Sequence, residues 1–169
     1  PIEKSSVILE KSIAWAIEDG LVGFIRNRES LRIMGYPAKH SVLIHGKSGC
    51  GKTYLSQYLL RCFPQCSGFV LKASQAQDIQ TLFEMAKVYQ PAIIVIDDVD
   101  LYTTAAGVAA ENSRVKKLLT FFDEIPAQDN VLLIMTAADT NCLARYGLLR
   151  AGYIDQTIEL VLPAAAQRR

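Results

Sequence analysis

Residues Gly46-Lys47-Ser48-Gly49-Cys50-Gly51-Lys52-Thr53 carry a spacing suited to chemistry on phosphates. The pattern is that of a Walker A loop, and it follows the apolar run Ser41-Val42-Leu43-Ile44-His45. A strand that passes through glycines into a helix start wraps backbone N–H groups around an anion at the positive end of the helix dipole. Here the glycines admit close approach of the backbone, Lys52 can reach outer phosphates, and the Thr53 hydroxyl can ligate Mg²⁺. The expected nucleotide-binding set is therefore Gly46, Lys47, Ser48, Gly49, Cys50, Gly51, Lys52 and Thr53, with Tyr54 beside them on the helix.

Further along, Ile93 to Asp98 is an apolar run ending in two carboxylates, the Walker B pattern. A strand there delivers Asp97 to the side where a loop-bound Mg²⁺ would lie, so Asp97 joins Thr53 as the expected metal pair. Asp98 stands where many ATPases carry a glutamate that orients or deprotonates the attacking water. Aspartate is one methylene shorter, and a misplacement of about 1 Å can cost on the order of 100-fold in rate, so slow hydrolysis is expected. Asp100 reads as a solvated loop or helix-cap residue.

Both motifs need strands and helices to hold them. Val42–His45 reads as the first strand, and 52–62 as a helix stopped by Phe63-Pro64. A second strand is expected over 69–72, then a helix over 78–89 with Ile79, Leu82, Phe83 and Ala86 on one face. The β-branched run from Ala92 to Ile96 predicts a central parallel strand covered on both faces. A helix over 112–125, a strand over 131–135, a short helix over 142–149 and a last strand over 157–162 complete the series. This alternation predicts an α/β fold, a P-loop NTPase parallel sheet sandwiched by helices, with its ligand at the carboxyl ends of the strands. Upstream, apolar residues between Ser5 and Arg28 fall at mostly helical spacing, and Gly35-Tyr36-Pro37 closes that region. The chain thus divides into a helical lead-in over 1–40 and a nucleotide-binding domain over 41–169.

A chain of 169 residues, half of them hydrophobic, can bury a core without staples. Lys+Arg at 18 against Asp+Glu at 17 gives no global electrostatic case for nucleic acid or an anionic membrane, and any such partner would need a local patch. The basic residues of the lead-in, such as Lys11, Arg26 and Arg32, read as helix faces in water. Cys50, Cys62, Cys66 and Cys142 form no CxxC pair, and two histidines weigh against a zinc site. They read as reduced thiols of a cytoplasmic or nuclear protein, with Cys50 an oxidisable position in the loop. No apolar run approaches a membrane span, Pro1-Ile2-Glu3-Lys4 is not a signal peptide, and the two chain ends read as those of a domain within a longer protein.

The order Gly46–Thr53, Ile93–Asp98 and Arg114–Asp123 resembles the AAA+ ATPases. Val131–Thr136 and then Leu148-Leu149-Arg150-Ala151-Gly152-Tyr153-Ile154-Asp155 continue the resemblance into the AAA subgroup, and Leu162-Pro163 and Arg168 extend it. The segment from Gln90-Pro91 to Leu101 is similar to the first AAA ring of a peroxisome-biogenesis AAA ATPase, and the degenerate second ring of N-ethylmaleimide-sensitive fusion protein is a comparable match. The resemblance implies an AAA+ large subdomain, ATP and Mg²⁺ as nucleotide and metal, and a homo- or hetero-oligomeric ring that acts on a protein substrate or adaptor. It also implies a residue that reads the γ-phosphate near the end of the fourth strand, where Thr136 and Asn141 are the two candidates. Arg150 matches the first of two arginines that reach a neighbour's ATP, whereas Tyr153 stands at the second.

Other departures bear on what the ATP would be for. Protein-threading rings carry an aromatic and a glycine in a pore loop, but Ala73-Ser74-Gln75-Ala76-Gln77-Asp78 has neither. Arg114 matches a helix-borne arginine of the family and is equally a solvated or subunit-facing residue. The final residues fall where the family's helical lid begins. Three functions are compatible with these features: a slowly hydrolysing remodelling ATPase, a ring domain that binds ATP with little hydrolysis, and a DNA-replication initiator or loader. Balanced charge weighs against the last.

Overall fold

The computed structural model describes residues 11–72, 79–103, 107–150 and 152–162. The span 73–78, where the family's pore loop would fall, and Arg168 lie outside the described residues, as does the side chain of Arg114.

A helical arm opens the described chain: α1 (Lys11–Trp15), a π-helical segment (Ala16–Val22) and α2 (Gly23–Ile33). Strands and helices then alternate as β1 (His40–His45), α3 (Lys52–Cys62), β2 (Ser67–Lys72), α4 (Ile79–Val88) and β3 (Ala92–Asp97). A 3₁₀ turn (Val99–Thr103), α5 (Gly107–Glu124), β4 (Val131–Ala137), α6 (Thr140–Arg145) and β5 (Gln156–Glu159) follow. The strands form one sheet in the order β2-β3-β4-β1-β5, and every pairing is parallel. The chain therefore crosses over between β1 and β2 and returns, leaving β1 between β4 and β5 with the P-loop at its carboxyl end.

The sheet separates two cores. On one face Leu43, Ile94, Ile96, Leu133 and Met135 pack with Phe83 of α4 and Leu118 and Phe122 of α5. On the other, Val42, Ile44, Val95 and Ile134 pack with Leu55 and Leu59 of α3 and with Ile17, Leu21 and Ile25 of the helical arm. The arm is thus part of the core that supports the P-loop helix. Each fully buried aliphatic side chain contributes about 1.5–3 kcal/mol relative to exposure. β3 and β4 are buried along their whole length, the apolar runs Ala92–Ile96 and Val131–Met135 being covered on both faces and Asp97 and Thr136 buried at their ends.

Several boundaries differ from the sequence expectation for local reasons. β4 runs two residues past Met135, because Thr136 and Ala137 stay paired with Ile44 and His45 of β1. The helix expected over 142–149 is α6 at 140–145. Asp139 caps its start, accepting the Asn141 N–H at 2.8 Å. Its end is closed by Gly147 N–H to the Ala144 carbonyl and Leu148 N–H to the Leu143 carbonyl, the paired bonds of a Schellman turn. β5 stops at Glu159, although Leu160 still donates to the His45 carbonyl at 2.7 Å.

Candidate functional site

At the carboxyl edge of the sheet, β1 opens into the loop and α3 begins at once. Gly51, the N-cap, has φ 96° and supplies no side-chain cap, so the first amides of α3 face outward with their donors available. Gly46 passes beneath Leu160, and any side chain there would run into the Leu160 carbonyl oxygen. Lys52 is buried, and its Nζ donates to the loop carbonyls of Gly46 at 2.8 Å and Lys47 at 3.3 Å. The ammonium is therefore held beneath the loop rather than in bulk water. Lys47, Ser48, Gly49 and Tyr54 are exposed at the surface of this cradle. Cys50 is half-buried and packs toward the core that includes Leu55 and Leu59.

Thr53, on the first turn of α3, reaches across to the end of β3. Its Oγ1 donates to the Asp97 carboxylate, at 3.1 Å from Oδ1 and 3.0 Å from Oδ2. A second hydroxyl holds the same carboxylate: Thr136 Oγ1 donates to Asp97 Oδ1 at 2.6 Å and accepts the Asp98 N–H at 2.8 Å. Thr136 is fully buried, and its one proton is committed to Asp97. Asn141 instead is exposed on the first turn of α6. Of the two γ-phosphate candidates, only Thr136 is in contact with the acidic pair.

Asp98 has φ 54°, a left-handed conformation that aspartate tolerates better than most residues. Burial raises its carboxyl above the usual carboxylate range, the negative charges of Asp97 and Asp100 add to that rise, and Lys52 and Lys72 oppose it. A raised carboxylate is a better proton acceptor. Asp100 corrects the expectation of a solvated residue. It is buried, and its Oδ2 accepts the N–H of Ala138 at 2.9 Å and of Asp139 at 3.1 Å. The available sequence signal was three carboxylates, Asp97, Asp98 and Asp100, closing a strand too apolar to end in open solvent. Asp139 was also missed, although an Asp directly before the start of α6 is an N-cap signal.

Arg150 is exposed, and its guanidinium lies against Gly147, where a side chain would displace it. Tyr153 is turned inward along its own chain. Its Oη donates to Asp123 Oδ2 at 3.3 Å, and its ring meets Phe122 at a centroid distance of 5.4 Å.

These residues suit a nucleotide triphosphate with a divalent ion. Uncapped helix amides and Lys52 form an anion cradle, while one hydroxyl and one carboxylate already in contact match the few protein ligands Mg²⁺ takes beside phosphates. Thr53 and Asp97 would hold the ion, and Lys52 with the loop amides would hold phosphate.

Comparison with known proteins agrees. Residues 42–162 match the family model described as the ATPase family associated with various cellular activities (AAA). The chain is 30% identical over 170 residues to a protein of Arabidopsis thaliana named as the probable inactive ATP-dependent zinc metalloprotease FTSHI 1, chloroplastic, covering 88% of this chain and 18% of that protein. It is 28% identical to the 26S proteasome subunit RPT4 of Saccharomyces cerevisiae, covering 85% of this chain and 36% of that one. With the proteasome-activating nucleotidase of Thermococcus onnurineus it shares 30% identity over 82% of this chain and 38% of the relative. The chain belongs to the AAA ATPase family, whose nucleotide and metal are ATP and Mg²⁺. It spans well under half the length of these relatives. Among the described residues no helix is long and apolar enough to cross a membrane.

Proposed function

We propose that this domain binds and slowly hydrolyses ATP as one subunit of a ring-forming, protein-remodelling machine. The observation that carries the reading is the meeting of Thr53 and Asp97 at the carboxyl edge of the sheet, with Lys52 held beneath the loop. In this reading Lys52 leaves the Gly46 and Lys47 carbonyls for the outer phosphates, and the loop amides hold the rest of the phosphate chain. Mg²⁺, bound through Thr53 and Asp97, would neutralise charge that develops on the phosphoryl oxygens. Asp98 orients the attacking water and takes its proton, a role favoured by its raised carboxyl. Thr136 holds Asp97 and the Asp98 backbone in register for that step. Arg150 serves the site of a neighbouring subunit. The likeness to relatives named as a 26S proteasome subunit and a proteasome-activating nucleotidase supports the reading of a ring with a protein substrate. Within the lead-in over 1–40, the described arm acts through Ile17, Leu21 and Ile25 as a support of the nucleotide-binding unit rather than a separate module.

A second reading, a ring domain that binds ATP with little hydrolysis, is favoured by the short Asp98 side chain and by Tyr153, which bonds to Asp123 of its own chain. Asp98→Asn separates the two. The first reading expects ATP affinity within about threefold of wild type and turnover lowered by roughly 100-fold or more in the assembled protein. Equal turnover in variant and wild type would support the second.

A further inference from the structure

Among the described residues Asp98 is the one non-glycine residue with positive φ, so something must hold it there. Two segments cross-link each other around it. From β4, Thr136 Oγ1 takes the Asp98 N–H at 2.8 Å and gives its proton to Asp97 at 2.6 Å. From the turn after β3, Asp100 Oδ2 takes the backbone N–H groups of Ala138 and Asp139, just past the end of β4. Each strand end thus offers a side chain to the other's backbone. The Leu101 N–H closes the turn on the Asp98 carbonyl at 3.0 Å, fixing Asp98 relative to Asp100. The same β4 end reaches the P-loop, because the Gly46 N–H donates to the Ala137 carbonyl at 3.2 Å.

We propose that Asp100 is a positioning residue: with Thr136 it forms a two-way clasp that keeps Asp98 in its left-handed conformation and so aims the Asp98 carboxylate. The clasp rests on the reading of Asp98 as the group that handles the attacking water. A carboxylate oxygen accepting two adjacent amides is a strong and directional anchor, and Asp100 is more than nine-tenths buried, at 8% exposure. With Asp100 shortened, the β4–α6 turn would lose its tie to the strand end that carries Asp98. The substrate cradle, built from Lys52 and the loop amides, would remain.

The test compares Asp100→Ala and Asp100→Asn in the full-length protein. The bonds from the Ala138 and Asp139 N–H groups both fall on Oδ2, so the asparagine carbonyl can accept both amides while alanine accepts neither. Expected is a fall of about tenfold or more in kcat for Asp100→Ala with KM for Mg·ATP within about threefold, and recovery of kcat to within about threefold of wild type in Asp100→Asn. Undiminished kcat in the alanine variant, a loss carried by KM, or equal losses in both variants would overturn the positioning role. Amide exchange supplies a readout without turnover. Ala138 and Asp139 are exposed residues, yet their N–H groups should exchange slowly in the wild-type protein, and free exchange at both overturns the clasp even if Asp100→Ala does not fold. A wild-type protein that binds Mg·ATP but shows no hydrolysis would refute the role given to Asp98, while exchange at those two amides would still decide whether the clasp exists.

Discussion

Thr136→Val is the perturbation whose cost can be worked out most fully from the structure. Valine keeps the shape and loses the hydroxyl of a fully buried residue that makes two hydrogen bonds. The bond to the Asp97 carboxylate, at 2.6 Å, belongs to the charge-assisted class, worth about 1.5–3 kcal/mol, and the bond from the Asp98 N–H to the ordinary class, near 1 kcal/mol. Thr53 still donates to Asp97, which limits the loss on that side. The expected destabilisation is about 2–4 kcal/mol, or roughly 4–16 °C in Tm for a domain of this size. Thermal unfolding of Thr136→Val beside Thr136→Ser measures it, since serine keeps the hydroxyl. Serine should retain most of the stability. A valine variant within about 1 kcal/mol of the serine variant would refute the claim that this hydroxyl holds Asp97 and Asp98 together.

Arg150→Ala should leave ATP affinity of the single domain unchanged and lower turnover only in the assembled protein, by about 10³- to 10⁵-fold if Arg150 serves a neighbour's site. A Lys52→Ala subunit mixed with Arg150→Ala subunits should restore part of that activity, and loss of ATP affinity in the isolated Arg150→Ala domain would exclude the role. His40 gives a pH signature: burial lowers its pKa below the ordinary value, against the opposing pull of Asp155, whose Oδ2 lies 3.6 Å from Nδ1, and of Gln156. Because the unfolded chain takes the proton first, stability from this group is complete above about pH 6.5 and is lost as pH falls through the folded value. His40→Phe, which keeps a ring against Phe24, should flatten that acid-side slope by at most about 1.4 kcal/mol per pH unit, and parallel slopes would contradict it.

The parts of this molecule legible in the sequence are those set by local pattern. The run Ala92 to Ile96 reads as a strand buried on both faces, as β3 is, and Gly51-Lys52-Thr53 reads as the opening of a helix, as in α3. Helix α3 was legible to the residue because Gly51 and Phe63-Pro64 bound it. What stayed hidden depends on which backbone meets which side chain across the sheet. Asp100 reads as solvated in sequence, whereas the Ala138 and Asp139 amides that it accepts lie 38 and 39 positions away. In the sequence Thr136 stands out only as a candidate γ-phosphate sensor, and the pairing of β3 with β4 adds the bond of its hydroxyl to Asp97. The early end of α6 likewise follows from the turn at Gly147 rather than from hydrophobic spacing.

The central claim is that the loop ending in Lys52 and Thr53 holds ATP, and thermal unfolding of this chain with and without Mg·ATP tests it most directly. At about 100 times its dissociation constant the ligand adds roughly 2.7 kcal/mol to the native state, which is about 5–11 °C in Tm at this size. Lys52→Ala removes the ammonium now held by the Gly46 and Lys47 carbonyls and should abolish the shift while leaving the ligand-free Tm within a few degrees. The account predicts a shift in the wild type and none in the variant. An unchanged wild-type Tm at millimolar Mg·ATP, or an equal shift in both proteins, would contradict it.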